Sequence, residues 1–368
     1  SQLIASKGYP VEEYQANTPD GYILEIQRIP RGRHEHTDPS LGPKTPVFVQ
    51  HGLLASSTDF VLNFPGQSLG FLLADAGYDV WLGNNRGSRY SKHTRLSRSD
   101  SAFWDFSADE LITFDLPTML DMVLKETGQD KVHYVGWSQG ALMLFGLLSE
   151  RPEYNEKIKL FSAIGPVPYI GHTWSPIRYL LPFANPIAVS ACYVRTKWEF
   201  TWNTGIFKIV AKVVCTTPVV RLTCSTPIMM IADVNDKQLN STRMAVYLSH
   251  TPSGASVNDV LHLAQLAKCD CFRKFDYGFL RNLKKYGTAT PPYYSLVRTT
   301  APVAIYWSKN DWLASEKDVH HLRDDLPNVV SFYQVPDPEF THIDFVWAIN
   351  AAKILYEPMI QLMKKYDD

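Results

Sequence analysis

Apolar and polar residues alternate along 11–18 and Tyr22–Ile29, on either side of Pro19-Asp20-Gly21, which predicts a hairpin. The stretch 31–44 is Gly, Pro and charge, an exposed loop. Then the pattern changes. Pro46-Val47-Phe48-Val49-Gln50, apolar up to its last residue, reads as a short buried strand. Residues 68–76 read as helix, 78–82 as strand, 83–91 as a Gly/Asn/Arg turn and 114–125 as a helix with one apolar face. A second buried run, 132–135, leads through Gly136-Trp137-Ser138-Gln139-Gly140 into a helical segment, and 159–164 is a further apolar strand. Strands alternating with helices at this spacing predict an α/β fold with a mostly parallel sheet.

At Gly165-Pro166 the rhythm stops. Residues 166–294 are rich in Trp, Tyr, Pro and Lys, with helical pattern at 240–250 and 258–268. We read them as an inserted, mostly helical cap, and 1–165 with 295–368 as the core. The βα rhythm resumes at Val303–Trp307, followed by Ser308-Lys309-Asn310-Asp311. A helix at 319–325, a strand at 329–335, a loop with Phe340-Thr341-His342 and one long amphipathic helix at 345–365 complete the chain.

Composition narrows the classes. Of 368 residues, 45% are hydrophobic and 20% charged, as in an ordinary folded protein, and the length suits one large domain with an insertion or two small domains. A net charge of −1 supplies no bulk field for nucleic acid or an anionic membrane. No apolar run reaches eighteen residues, so no transmembrane segment is expected. The chain starts at Ser1, with neither an initiator Met nor a signal peptide, as a processed mature chain does. Five cysteines are present: Cys192, Cys215, Cys224, Cys269 and Cys271. Cys215 and Cys224 close a short loop suited to a bridge if the chain is secreted. Cys269-Asp270-Cys271 lacks a second Cys/His pair at zinc-finger spacing, so no metal is expected. The sequon Asn240-Ser241-Thr242 is a candidate glycosylation site and favours the secretory route.

The chemistry centres on Gly136-Trp137-Ser138-Gln139-Gly140, a strand–turn–helix nucleophile elbow in which Ser138 stands on a strained backbone. A serine hydroxyl needs a base, and the base needs a group to hold its tautomer. In such folds they follow in the order Ser, acid, His. Asp311 follows a strand directly, and His342 lies in the loop after the next strand. Asp318, Asp324 and Asp325 compete for the acid's role from a predicted helix, and Asp337 from beyond the next strand; His320 and His321 fall within the helix after Asp311. A tetrahedral intermediate needs two N–H donors. Gln139 supplies one, and Leu53, in His51-Gly52-Leu53-Leu54 after the third strand, is the candidate for the other.

These stretches resemble the acid lipase family that includes gastric and lysosomal acid lipases. The resemblance runs through Tyr14-Gln15-Ala16-Asn17-Thr18-Pro19-Asp20-Gly21-Tyr22, Gln50-His51-Gly52-Leu53-Leu54, Ala76-Gly77-Tyr78-Asp79-Val80-Trp81, His133 to Gly140, Val246-Tyr247-Leu248-Ser249-His250, Asp311-Trp312-Leu313-Ala314 and His342-Ile343-Asp344-Phe345. It implies an α/β-hydrolase core with an eight-stranded sheet, a cap with a lid at about 203–232, and cleavage of triacylglycerol or sterol esters without a cofactor. It also implies Ser138, Asp311 and His342 as the triad, Leu53 and Gln139 as oxyanion donors, and Cys215–Cys224 as the cap disulfide. The expected partner is a lipid ester at a lipid–water interface, and the expected location is secreted or lysosomal. Two departures stand out: Trp137 where the family usually has His, which we expect to act as a spacer beneath the elbow, and Ser308-Lys309-Asn310 in place of a Gly-rich turn. Cys192, Cys269 and Cys271 have no family role. The rival readings are a carboxylesterase for soluble esters and a lipid carrier without turnover; the aromatic cap and the complete triad argue against them.

Overall fold

The computed structural model describes residues 1–35, 42–175, 178, 199–200, 235 and 237–367. Cys192, Cys215, Cys224 and the lid expected at 203–232 lie outside the described residues.

The hairpin forms as its alternation predicts: β1 (Glu12–Asn17) pairs antiparallel with β2 (Tyr22–Ile29) around Gly21, which takes φ +99°. The sheet then continues with β3 (Pro46–Gln50), β4 (Asp79–Leu82), the short β5 (Ser91–His93), β6 (Val132–Trp137) and β7 (Ile158–Ile164). Beyond the segment expected to form a cap, in which β8 (Glu199–Phe200) pairs with β9 (Ala255–Ser256), it ends with β10 (Val303–Trp307) and β11 (Val329–Gln334). Eight strands run in the order β1-β2-β4-β3-β6-β7-β10-β11, with β5 added on β2. From β4 to β11 every pairing in this order is parallel.

Successive residues of one strand enter opposite cores. Phe48 and Tyr134 face a cluster with the helices Leu116–Thr127 and Gln139–Glu150. Val47, Val49 and Val135 face a second cluster with the helices Leu69–Asp75 and Glu357–Met363. The sheet is therefore the middle of three layers, which is why its central strands are apolar throughout.

From β3 the chain leaves to β4 on one side, and β6 lies on the other. This reversal opens a crevice at the carboxyl ends of β3 and β6, where doubly wound sheets place ligands. Gln50, the last residue of β3, lies in register with Gly136, two residues before Ser138.

The long helix expected at 345–365 is instead broken. Asp344–Trp347 is one short helix; Ala348 turns extended and bridges to Leu239, and Ile349 donates its N–H to the Gln238 carbonyl at 2.9 Å. Helical structure resumes through Ala352–Tyr356 and Glu357–Met363. Pairing with the segment at Gln238 and Leu239 wins over helix continuation. The helical segments expected at 240–250 and 258–268 are Ser241–Arg243 with Met244–His250, and Val257–Cys269. Cys269 and Cys271 are bonded to each other. Asn240 is half-buried at the start of a turn, its Oδ1 accepting from the Thr242 N–H and hydroxyl at 3.1 and 2.7 Å.

Candidate active site

Ser138 closes β6 with φ 57° and ψ −119°, a conformation a non-glycine residue holds only when its surroundings enforce it. They do so through close packing. A Cβ on Gly136 would stand 2.7 Å from the Ala141 nitrogen, and one on Gly140 would collide with the Gln50 carbonyl. The Ser138 N–H is fixed on the Ile164 carbonyl at 2.9 Å. Gln139 occupies the first position of the following helix, where a backbone N–H has no intrahelical acceptor.

The loop after β3 passes over the serine so closely that a Cβ on Gly52 would lie 2.9 Å from the Ser138 Cβ. His51 sets its course. The ring is buried; Nδ1–H donates to the Gly52 carbonyl at 2.8 Å, and Nε2 accepts from the Asn85 N–H at 3.1 Å. Burial pushes its pKa down to about 4, so the ring is neutral and one tautomer satisfies both contacts. Holding the Gly52 carbonyl turns the N–H of Leu53 the opposite way across the trans peptide. Leu54 follows at φ 61°.

Asp311 and His342 meet on loops at the carboxyl ends of β10 and β11. His342 Nδ1–H donates to Asp311 Oδ2 at 2.8 Å, and both side chains are buried. Asp311 Oδ1 accepts the N–H groups of Leu313 and Ala314, each at 2.8 Å, so the carboxylate is held from both sides. The other ring nitrogen, Nε2, is buried and has no hydrogen-bond partner among the described residues. Gly165, at φ +50°, leaves room for the pair: a Cβ there would stand 3.2 Å from His342 Cε1 and 3.3 Å from Asp311 Oδ2.

The competing acids are engaged elsewhere. Asp318 binds His172 at 2.7 Å and Ser315 at 2.8 Å; Asp324 pairs with Arg323, Asp325 accepts from Tyr169, and Asp337 from Gln238. His172, Asp270 and Asp318 bring their ligand atoms within 4.8 Å of one another, but the nearest of these contacts is the His172–Asp318 hydrogen bond.

Both departures from the family pattern touch the site. Trp137 is more than a spacer: its Nε1–H donates to the His342 carbonyl at 3.2 Å, and the rings lie 5.6 Å apart. Ser308 donates its hydroxyl to the Phe340 carbonyl at 2.7 Å, and Asn310 Nδ2 reaches the Glu339 carbonyl at 3.3 Å. They join the loop of the acid to the loop of the histidine. Sequence reasoning missed Asp259. This buried residue of the helix Val257–Cys269 accepts a hydrogen bond from Gln139 Nε2 at 2.6 Å. The Ser256-x-x-Asp259 spacing marks a helix start, but nothing in it names a partner 120 residues away.

Comparison with known proteins bears on the fold and the family of the chain. Residues 45–347 match the family model for the alpha/beta hydrolase fold, and residues 1–64 that for a partial alpha/beta-hydrolase lipase region. The chain is 40% identical over 368 residues to the lysosomal acid lipase/cholesteryl ester hydrolase of Homo sapiens, covering 100% of this chain and 90% of that protein. It is 41% identical over 371 residues to lipase lipl-1 of Caenorhabditis elegans and 39% over 369 residues to gastric triacylglycerol lipase of Bos taurus, in both cases covering 99% of this chain and 90% of the relative. Among solved structures, a thermophilic esterase from Thermogutta terrifontis superposes with a TM-score of 0.52 at 12% identity, covering 97% of this chain and 100% of that one, a likeness of fold.

Proposed function

This chain belongs to the acid lipase family of α/β hydrolases, and we propose that its Ser138, Asp311 and His342 carry the hydrolysis of neutral-lipid esters through an acyl-enzyme. Ser138 Oγ attacks the ester carbonyl carbon while its proton passes to His342 Nε2. Asp311 stabilises the resulting imidazolium and holds its orientation. The developing oxyanion is bound by the N–H groups of Gln139 and Leu53, each worth about 3 kcal/mol or more in a dry site. Collapse expels the alcohol with the proton from His342, and water repeats the sequence to release the fatty acid.

The observation that carries this reading is the 2.8 Å Asp311–His342 contact, with no hydrogen-bond partner for the opposite ring nitrogen among the described residues. The test is direct. Ser138→Ala and Asp311→Asn should fold, resist labelling by a serine-directed phosphonate, and lose on the order of 10⁴-fold in kcat. Near-normal turnover by either variant sinks the assignment.

A lipid–water interface is the proposed place of action. The cap helix Phe279–Tyr286 is inverted: polar Asn282 is buried, while Phe279 and Leu280 are 63% and 77% exposed, Leu283 is exposed, and Lys284 stands beside them. An apolar face rimmed by cations fits a lipid surface. Among the described residues, no helix is long and apolar enough to cross a membrane. We take 166–294 as the cap, and a secreted or lysosomal location is supported by the Cys269–Cys271 disulfide and the half-buried sequon. Whether triacylglycerol or sterol ester is preferred is settled by comparing rates on triolein and cholesteryl oleate emulsions.

A further inference from the structure

We propose that Asp259 is a positioning residue for the oxyanion hole, one that supports catalysis while protonated and slows it once ionised; the inference rests on reading Gln139 as an oxyanion donor. Asp259 Oδ1 lies 2.6 Å from Gln139 Nε2, and both residues are buried. The contact ties the first turn of a cap helix to the first residue of the elbow helix. It restrains the residue whose backbone N–H faces the developing charge.

The surroundings are acidic. Asp109 and Glu110, on Ala108–Glu110, and Asp115, in the π-turn Leu111–Asp115, all act on Asp259. Their countercharges are already engaged: Arg86 binds Asp115 and Asp20, and Lys285 binds Glu110 at 2.8 Å. Asp109 accepts the hydroxyls of Tyr286 and Tyr294 at 3.0 and 2.8 Å. On the Asp259 helix itself, His262 stands 3.9 Å from Asp109 and holds the Arg273 carbonyl through Nε2. Asp105 accepts from Asn258 at 3.4 Å, and β8 places Glu199 in backbone register with Ser256.

Burial is the main force on the Asp259 carboxyl, and with the charges of Glu110, Asp115 and Asp109 it pushes the pKa up to about 7 against the lowering effect of the Gln139 hydrogen bond. Below that pH the residue is a neutral acceptor that orients Gln139. Above it, a unit charge sits one side chain from the oxyanion, in a poorly screened interior, and opposes the charge that the transition state must develop.

The readout is the pH profile of kcat on a water-soluble short-chain ester, which removes any interfacial step. Wild type should fall on the order of tenfold between pH 6 and 8. Asp259→Asn keeps an acceptor for the Gln139 amide without a titrating charge, so it should hold its acid-side rate through pH 8. A purely structural role would lower the rate at every pH instead. Gln139→Met provides a second variant: it removes the contact but keeps the backbone N–H, so Asp259 loses its stabilising donor and the alkaline fall should move to higher pH. A wild-type profile flat from pH 6 to 8 overturns the proposal. So does an Asp259→Asn profile that falls with wild type or, if that variant does not fold, a Gln139→Met profile whose fall stays in place. Ser138→Ala is the control: its inactivity alongside any of these results shows that the site reading stands and only the role of Asp259 has failed.

Discussion

Trp137 sits between the strand that delivers the serine and the loop that delivers the histidine, and it binds both by different means. Its backbone ends β6, while its indole N–H holds the His342 carbonyl at 3.2 Å. If His342 is the base, a loop anchored this way limits how far its ring can wander from its contact with Asp311. Trp137→Phe retains most of the ring volume and loses the donor. One neutral hydrogen bond is worth about 1 kcal/mol, so kcat should fall roughly fivefold with little change in KM. Trp137→His, which restores a ring N–H, should recover part of that loss. Steady-state rates on a soluble ester check this, and a folded Trp137→Phe enzyme with wild-type kcat would return the indole to the role of inert spacer. The same scale explains Ser308 and Asn310. Where a Gly-rich turn is expected, their side chains bind the Phe340 and Glu339 carbonyls, replacing a tight turn with a cross-link between loops.

Elements differ in how far their sequence announces them. The central strands are legible because burial on both faces leaves an unmistakable apolar run, and the candidate residues Ser138 and Asp311 stand out because they lie just beyond such runs, whereas His342 is reached only through the loop after the partly exposed β11. Asp259 and the break at Ala348 are not, because both arise from contacts with distant segments: Gln139 in one case, Gln238 and Leu239 in the other. Local pattern carries no trace of a partner so far along the chain. The helix Phe279–Tyr286 is an intermediate case. Only the structure shows that its apolar residues point outward while Asn282 is held inside by Asp276 and the Ala289 carbonyl at 2.7 and 3.0 Å. If that face meets lipid, Phe279→Ser/Leu280→Ser should weaken binding to anionic phospholipid vesicles by about tenfold or more, from the apolar area no longer buried. Activity on an emulsion should drop in parallel, with the soluble-ester rate unaffected. Equal losses on both substrates would make the helix a folding element and remove the support it lends to an interfacial site.

Across the whole molecule, two buried groups close to the nucleophile bias stability in opposite directions. The pKa of His51 is pushed down to about 4, mainly by burial, so the folded state binds its proton less readily than the unfolded chain. Its contribution is complete above about pH 6.5 and is lost as pH falls toward 4. Asp259 is raised to about 7 from a usual value of 3.8, so the folded state binds that proton more readily. Its contribution is complete below about pH 4 and is lost as pH rises toward 7. Between these limits the two slopes offset each other, and wild type gives no clean view of either. The difference between wild type and Asp259→Asn isolates one of them, because every other titrating group is common to both. Urea unfolding at pH 4, 5, 6, 7 and 8 should show Asn gaining on Asp by about 1.4 kcal/mol per pH unit up to about pH 7, on the order of 4 kcal/mol in total, and then levelling off. The plateau marks the pH at which the folded protein releases the Asp259 proton, and the alkaline fall in kcat should begin at the same point. A stability difference independent of pH would mean that the carboxyl ionises in its ordinary range, and an alkaline fall in rate would then need another titrating group.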